Sequence, residues 1–499
     1  MTVEAVVVGG GIGGLVAGWE LAGRGLDVVV LEAGERPGGP VRGGAFSSLP
    51  GVPLDLGAES FAVRGGVVER LAGELGLPVE PPAGLGAWGY AAGRAFPLPA
   101  AGILGIPSRP WAADVRRAVG WPGVLRGSLD RLLPRRFTSF DDVGALVRSR
   151  MGGRITDRLV AAVAAGVHSA PLGRLDVDAV APGLRRAFEE TGSLSRAVAR
   201  LRAAAPPGSA VKGIDGGVHA LVTALAGRLD VRTGHRVTGI ERLGDEWRVA
   251  TERGEFRGSR LVVATAAAAG LLEIGGAPVP ERGADIWLAT LLLDAPELDA
   301  APRGTGMLVA ATDEPAGRRR TSGEASGDDR RHASGEIRPA GRRRAGDEAR
   351  GDDRRHPSGE AWPAGRRRAV VRAKALTHAS AKWPWLARRL RDAAGPGTHV
   401  VRLSYGRIGE ATAEPTREEA IQDASALLGV DLTGRARDFL TQHWDGSLPP
   451  PTPAYRARVR EFTERAGAIP GLAVTGGWIA GTGLAAVVAH ARQAAAQLP

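Results

Sequence analysis

Cysteine is absent from the 499-residue chain. Disulfides, thiolate metal sites and cysteine nucleophiles are therefore excluded, and any redox chemistry must come from a bound cofactor. Lysine is almost absent too: Lys212, Lys374 and Lys382 are the only three, so the net charge of +11 is carried by arginine. No basic motif interleaved with aromatics accompanies that charge, and nucleic acid is not an expected partner. His332 and His356 lie in a repeat, and the other histidines lack ligand spacing, so no metal site is expected. Nor is there a G-x-S-x-G nucleophile elbow. Two uncharged runs fall short of membrane signals. Residues 5–19 follow Glu4 rather than a basic segment, and residues 466–489 are broken by Pro470 and six glycines. These features fit a soluble, cytoplasmic protein. Residues 111–151 would be the part to meet a membrane if the protein were peripheral, but their arginines require no lipid and such contact is not expected.

The hydrophobic content of 43% supports large cores, and the length suggests two or three domains. Between residues 313 and 368 the composition turns to Arg, Gly, Asp, Glu and Ser. PAGRRR recurs at Pro315, Pro339 and Pro363, and GDDRRH at Gly327 and Gly351, a period of 24. These units lack the apolar positions of a solenoid, so the stretch reads as a disordered repeat expansion in a surface loop, where closure entropy grows slowly with length.

The N-terminus is the most informative stretch. Residues 6–8 pattern as a buried strand and residues 15–21 as a helix, with Gly9, Gly11 and Gly14 between them as G-x-G-x-x-G and Gly13 inside the motif. Such a turn lets backbone approach a diphosphate at a helix N-terminus. The second strand, residues 26–31, ends at Glu32, where an acid meets a ribose hydroxyl. An acid there disfavours a 2′-phosphate and leaves FAD or NAD.

The residues after Glu32 separate these two cofactors. LEAGERPGG, containing Ala33, Arg36 and Gly39, resembles the extended signature of the FAD-containing superfamily of amine oxidases, phytoene desaturases and protoporphyrinogen oxidases. LDLGAESF, with Gly57, Ala58 and Glu59, resembles the superfamily segment whose backbone lies by the flavin. GGVHALVTAL from Gly216 and VRTGHRVTGI from Val231 resemble its helix and a strand ending near Val237, placed against adenine. LVVAT at residues 261–265 resembles the strand that follows, with Ala266 where proline is usual. At the C-terminus, Gly481, Thr482 and Gly483 precede a small-residue helix that the resemblance brings to the flavin, with Gly477 where many relatives carry Asp or Asn.

ELGL, FPLP, GIPS, SFDDVGALVRSRMG, THASAKWPW and HWDGSLP, in that order, make the resemblance specific to bacterial flavin-dependent porphyrinogen oxidases. It implies FAD-dependent oxidation of coproporphyrinogen III to coproporphyrin III in heme biosynthesis. A meso carbon gives hydride to flavin N5 over three cycles, and oxygen leaves as hydrogen peroxide. Protoporphyrinogen IX is the alternative substrate, followed by a flavin amine oxidase or desaturase; a flavin-binding chaperone or sensor without turnover is the reading from another class. The implied partners are the porphyrinogen, molecular oxygen and a transient ferrochelatase contact. Lys382 is the candidate catalytic residue, near the flavin or a propionate, against the plainer reading of a solvated lysine beside Trp383. His168 is a candidate cavity residue, and Trp444 a candidate flank of the flavin domain.

The expected fold is α/β. A discontinuous doubly wound FAD-binding domain takes residues 1–75, 205–270 and 440–499. A mixed substrate domain with a helical cap takes residues 76–204, 271–312 and 369–439, and the repeat insertion takes residues 313–368.

Overall fold

The computed structural model describes residues 1–166, 169–204, 210–310, 370–447 and 452–499. His168 and the repeat at residues 313–368 lie outside the described residues.

Four of the short apolar runs read from the sequence become adjacent strands of one parallel sheet. Its five-strand order is Asp230–Arg232, Val28–Leu31, Ala5–Val8, Arg260–Val263, Leu472–Val474. Ala5–Val8 and Val28–Leu31 are buried at every position, as strands covered on both faces must be. One face packs on the glycine-loop helix Ile12–Ala22 and the C-terminal helix Leu484–Ala496, around Leu15, Val30, Val488 and Ala491. The other face is covered by a meander of Val237–Leu243, Glu246–Thr251 and Gly254–Gly258, through Val6, Val29, Trp247 and Leu261. Gly14 makes the close helix packing possible, since a Cβ there would lie 1.9 Å from the Gly9 carbonyl oxygen. The strand expected to end near Val237 ends at Arg232; Val237 opens the meander after a turn. The turn is Thr233-Gly234-His235-Arg236, with Gly234 at φ +66° supplying the left-handed conformation that breaks the strand.

A second, seven-stranded sheet is mostly antiparallel. Its order is Ala436–Ser447, Ala284–Asp294, Thr398–Tyr405, Ala375–His378, Gly306–Val309, Trp88–Ala91, Arg94–Pro97. Leu308 and Ala375 pair directly in neighbouring strands. The segment that carries the repeat therefore leaves and rejoins the sheet at adjacent points. Ala436–Ser447 runs through position 440 without a break, so Trp444 hangs from the large sheet.

The cap over this sheet is helical. Ala113–Ser128, Val143–Met151, Leu184–Thr191 and Leu194–Ala203 join a wide-turned π-helix, Thr156–Ala165, around a common apolar core. At its centre Arg150 and Asp130 form an ion pair at 2.9 Å, with both side chains fully buried. Asp130 also accepts from the Ser193 and Ser195 hydroxyls and from the backbone N–H groups of Leu194 and Ser195. Burial alone would raise its pKa, but these donors outweigh that and hold it below the usual aspartate value. Removing one partner leaves the other charge buried and uncompensated. Asp130→Asn and Arg150→Met should each lower stability by about 3–5 kcal/mol, read from urea unfolding of the cap; a loss below about 1 kcal/mol would show the pair is dispensable.

Candidate active site at the glycine loop and the large sheet

Four backbone segments meet beside the first parallel strand. Gly38 N–H donates to the Gly10 carbonyl at 2.8 Å, which sets the residue 37–42 stretch beside the glycine loop. Ala58 N–H donates to the Pro40 carbonyl at 3.1 Å, and a Cβ on Gly57 would lie 1.9 Å from that same oxygen, so the residue 56–59 stretch follows. The C-terminal loop closes the ring of segments, because a Cβ on Gly13 would come within 2.8 Å of the Gly476 Cα. Nothing lies within 4 Å of a Cβ built on Gly11, Gly481 or Gly483. The helices that follow, Ile12–Ala22 and Leu484–Ala496, have no side-chain cap at their N-termini. Two sets of first-turn N–H donors thus lack helical partners and border open space, which is what a diphosphate and its linker need.

Glu32 sits at the end of its strand, as expected, and its carboxylate accepts from the N–H groups of Gly10 at 2.9 Å and Gly34 at 2.7 Å. His235 N–H donates to the Glu32 carbonyl at 2.8 Å, which carries the turn before Val237 alongside. Ala33 and Arg36 are exposed beyond it. The space and donor set in this cradle fit a dinucleotide with adenine at the Glu32 end.

Glu59 is the electrostatic centre of the other end. Lys382 donates to its Oε1 at 2.6 Å and Arg402 to its Oε2 at 2.7 Å. Arg402 also donates to the carbonyls of Asp55 at 3.1 Å and Gly57 at 3.0 Å. Burial pushes the Glu59 carboxyl up, but the charges of Arg402 and Lys382 and hydrogen bonds from Lys382 and Thr377 prevail and hold it at about 2. The Lys382 ammonium lies 5.0 Å from the Trp383 ring centroid and is committed to Glu59, so Lys382 positions the residue 56–59 loop. Trp444 pins the same loop from the large sheet: its Nε1–H donates to the Leu56 carbonyl at 2.8 Å, and the Arg42 guanidinium stands 5.3 Å from its ring. The buried Arg42 Nε has no hydrogen-bond partner, and so offers a donor at this end of the cradle.

From this end the face of the large sheet that carries Arg402 and Thr377 runs toward the cap. Ser404, Ala375 and Leu308 on it are half-buried, whereas Leu403, Leu376 and Met307 on the opposite face are buried in a core. Ile286, Leu288, Ile408 and Trp444 form a small apolar cluster here. At the cap end lie two cations that sequence reasoning missed. Lys374 is buried and its ammonium donates to the Ser169 hydroxyl. Arg407 donates to the Val309 carbonyl at 3.2 Å, has a buried Nε without a partner, and lies 3.7 Å from the exposed Glu410. Both hold the same local backbone: Val309 N–H donates to the Lys374 carbonyl and Ile408 N–H to the Ser169 carbonyl. The signal available in sequence was slight, namely that one of only three lysines lies in a run of alanines and valines.

Burial, reinforced by the Arg407 charge and only weakly opposed by Glu410, lowers the Lys374 pKa from 10.5 to about 7. Between those values the unfolded chain binds a proton that the folded chain lacks, so folding gains stability as pH rises from about 7 to about 10.5. Below pH 7 the full cost of the buried ammonium is felt. Lys374→Met should therefore raise the melting temperature at pH 6, with the gain vanishing toward pH 10.5 in parallel thermal melts. A gain independent of pH would contradict the buried charge.

Among the described residues no cluster of acids and histidines is arranged to hold a metal, and no helix is long and apolar enough to cross a membrane. Residues 12–290, more than half the chain, match the family described as flavin containing amine oxidoreductase. A coproporphyrinogen III oxidase from Propionibacterium freudenreichii subsp. freudenreichii is 34% identical over 184 residues, covering 36% of this chain and 34% of that one. A relative of the same name from Mycobacterium leprae is 27% identical over 511 residues, covering 98% and 96%. The crystal structure of an Exiguobacterium protein assigned as a protoporphyrinogen oxidase superposes with a TM-score of 0.71 at 20% identity, covering 99% and 98%, and shares the fold. With the mixed α/β architecture and the glycine-loop cradle, these findings establish that the chain belongs to the flavin-containing amine oxidoreductase family and that its cofactor is FAD.

Proposed function

We propose that this chain oxidises coproporphyrinogen III to coproporphyrin III, with oxygen as electron acceptor and hydrogen peroxide as its product. The observation that carries the reading is the match along nearly the whole chain to a relative named coproporphyrinogen III oxidase. Bound FAD supplies a two-electron acceptor for the hydrogen leaving each saturated meso carbon.

The chain's own residues supply placement. Backbone donors at Gly11, Gly13 and Gly14 and at Gly481, Thr482 and Gly483 hold the diphosphate and linker, with Gly9 turning the loop. Glu32 takes the ribose hydroxyls, while Ala33, Arg36, Gly39 and Val237 border the adenine half. Gly57, Ala58, Glu59 and Trp444 flank the ring. Glu59 stays ionised at neutral pH because two cations grip it, so it orients backbone and takes up no proton. Pyrrole protons accordingly leave to solvent.

The substrate is a broad apolar macrocycle edged by carboxylates. Ile286, Leu288 and Ile408 offer it an apolar floor, and Lys374 with Arg407 offers cations at the rim. A propionate seated there would gain charge-assisted hydrogen bonds and raise the Lys374 pKa again.

The purified protein should be yellow, consume oxygen on addition of coproporphyrinogen III, and develop porphyrin fluorescence. Protoporphyrinogen IX should react more slowly and amines not at all. Faster turnover of an amine, or of protoporphyrinogen, would replace this reading with that one. Lys374→Gln and Arg407→Gln should each raise KM for coproporphyrinogen by about tenfold or more with kcat nearly unchanged, as expected for loss of a charged hydrogen bond. Unchanged KM in both variants would remove the two cations from the site.

A further inference from the structure

A pair of buried histidines lies behind the Glu59 clamp, and no step of the flavin chemistry uses it. His378 is fully buried and His399 is 8% exposed. His378 Nε2 stands 3.0 Å from His399 Nδ1, and His399 Nε2 stands 3.0 Å from the carboxylate of Asp299, an exposed side chain. The Ser380 hydroxyl lies 3.3 Å from the same His399 Nδ1 and accepts from the Val400 N–H at 3.1 Å. These contacts tie the end of the strand Ala375–His378 and the single helical turn Ala379–Lys382 to the strand Thr398–Tyr405. Thr377 and Lys382 bracket the tied stretch, and both hydrogen-bond Glu59. Thr377 and His378 point to opposite faces of the sheet, so the histidines brace from the core side what grips Glu59 on the cradle side.

The Asp299 carboxylate fixes where the protons sit. An ionised carboxylate only accepts, so His399 carries its proton on Nε2 and presents a bare Nδ1. His378 then donates from Nε2, which leaves its own Nδ1 bare, and among the described residues that buried atom has no partner. A further proton has no good place. On His378 Nδ1 it makes a buried donor without an acceptor; on His399 Nδ1 it forces His378 to reverse its tautomer and carry its proton on the same orphan nitrogen. Burial, with the neighbouring His399, holds His378 down at about 3, and burial lowers His399 against the pull of Asp299. Among the described residues, the other charges on the elements packed around the pair are engaged elsewhere or exposed. Arg303 turns to the Ala426 and Leu427 carbonyls, Glu297 pairs with Arg435, and Arg388 and Arg389 pair with Glu80 and Asp215. Asp294, Arg391 and Asp392 are exposed.

We infer that His378 and His399 are positioning residues for FAD: kept neutral, they hold residues 377–382 on Glu59, and a proton taken up by the pair loosens that grip and with it the residue 56–59 loop that borders the cofactor. The sign follows from linkage. Between pH 6.5, the ordinary histidine value, and about 3, the opened chain binds a proton that the closed chain lacks, so the closed form loses stability as pH falls through that window. Glu59, held at about 2, stays ionised across nearly all of it, and Lys374 titrates at about 7, above it. The inference depends on the bound flavin and not on which substrate is oxidised.

The test is release of FAD from the loaded full chain between pH 8 and pH 5, followed by the fluorescence of free flavin and by equilibrium dialysis. The Kd for FAD should hold steady from pH 8 to pH 7 and rise about tenfold or more by pH 5. His378→Phe removes the orphan nitrogen and leaves the Ser380 hydroxyl to donate to His399 Nδ1. It should bind FAD at pH 8 as the parent does and lose most of the acid rise. His399→Gln should flatten the profile in the same way, with far-ultraviolet circular dichroism at pH 5 matching the parent. Lys374→Met should keep the acid rise. A parent Kd unchanged between pH 8 and pH 5, an acid rise that survives in either histidine variant, or one abolished by Lys374→Met overturns the proposal.

Discussion

One carboxylate joins the two sheets. Glu59 comes from the stretch that follows the glycine loop, whereas Lys382 and Arg402 come from the large sheet and the turn beside it. Each contact alone would be a modest ion pair. Together, in a nearly buried setting, they make separation costly, because pulling the sheets apart leaves two cations without their anion. Arg402 adds hydrogen bonds to the Asp55 and Gly57 carbonyls, so the backbone of the loop is held as well as the charge. Trp444 clamps the same loop from a neighbouring strand. The placement of the residue 56–59 loop against the large sheet is therefore set by Glu59, Lys382, Arg402 and Trp444, side chains far apart in the sequence.

The cap uses the same device for another purpose. Arg150 and Asp130 are wholly enclosed, and five donors converge on the aspartate. This polar knot fixes the junction between the Ala113–Ser128 helix and the Leu194–Ala203 helix. Where the large sheet meets the cap, Lys374 is buried and the Arg407 Nε is buried without a partner, and neither has such a knot. The contrast separates a fully satisfied ion pair from two cations with only partial pairing.

Much of the first sheet was legible because its signals are local. Strand, glycines, helix and terminal acid follow one another within the span of a single βαβ unit, and the physical demand on each position is met by its immediate neighbours. The C-terminal loop was legible by the same kind of signal, dense glycine before a small-residue helix. The turn before Val237 was misplaced because Val231 and Val237 were read as one strand across Thr233, Gly234 and His235, whose polar residues and glycine mark the break. Glu59 was found, but its partners were not: nothing near residue 59 indicates that Arg402 will reach it. Lys382 was noticed for its motif, yet its commitment to Glu59 depends on a contact across more than three hundred residues. Lys374 and Arg407 were invisible for the same reason, as burial of a cation is a property of the assembled sheet.

The order of the parallel sheet has a consequence for how the protein is made. The strand Leu472–Val474 and the helix Leu484–Ala496 lie close to the chain's end, yet they complete the sheet and core begun by Ala5–Val8 and Ile12–Ala22. The elements at 5–22 emerge from the ribosome well before those at 472–496, so part of their apolar surface stays uncovered until the later ones are made. The cap and the large sheet, finished earlier, can assemble in the meantime. A chain lacking residues 472–496 would keep its glycine loop but lose the strand and helix that pack beside it.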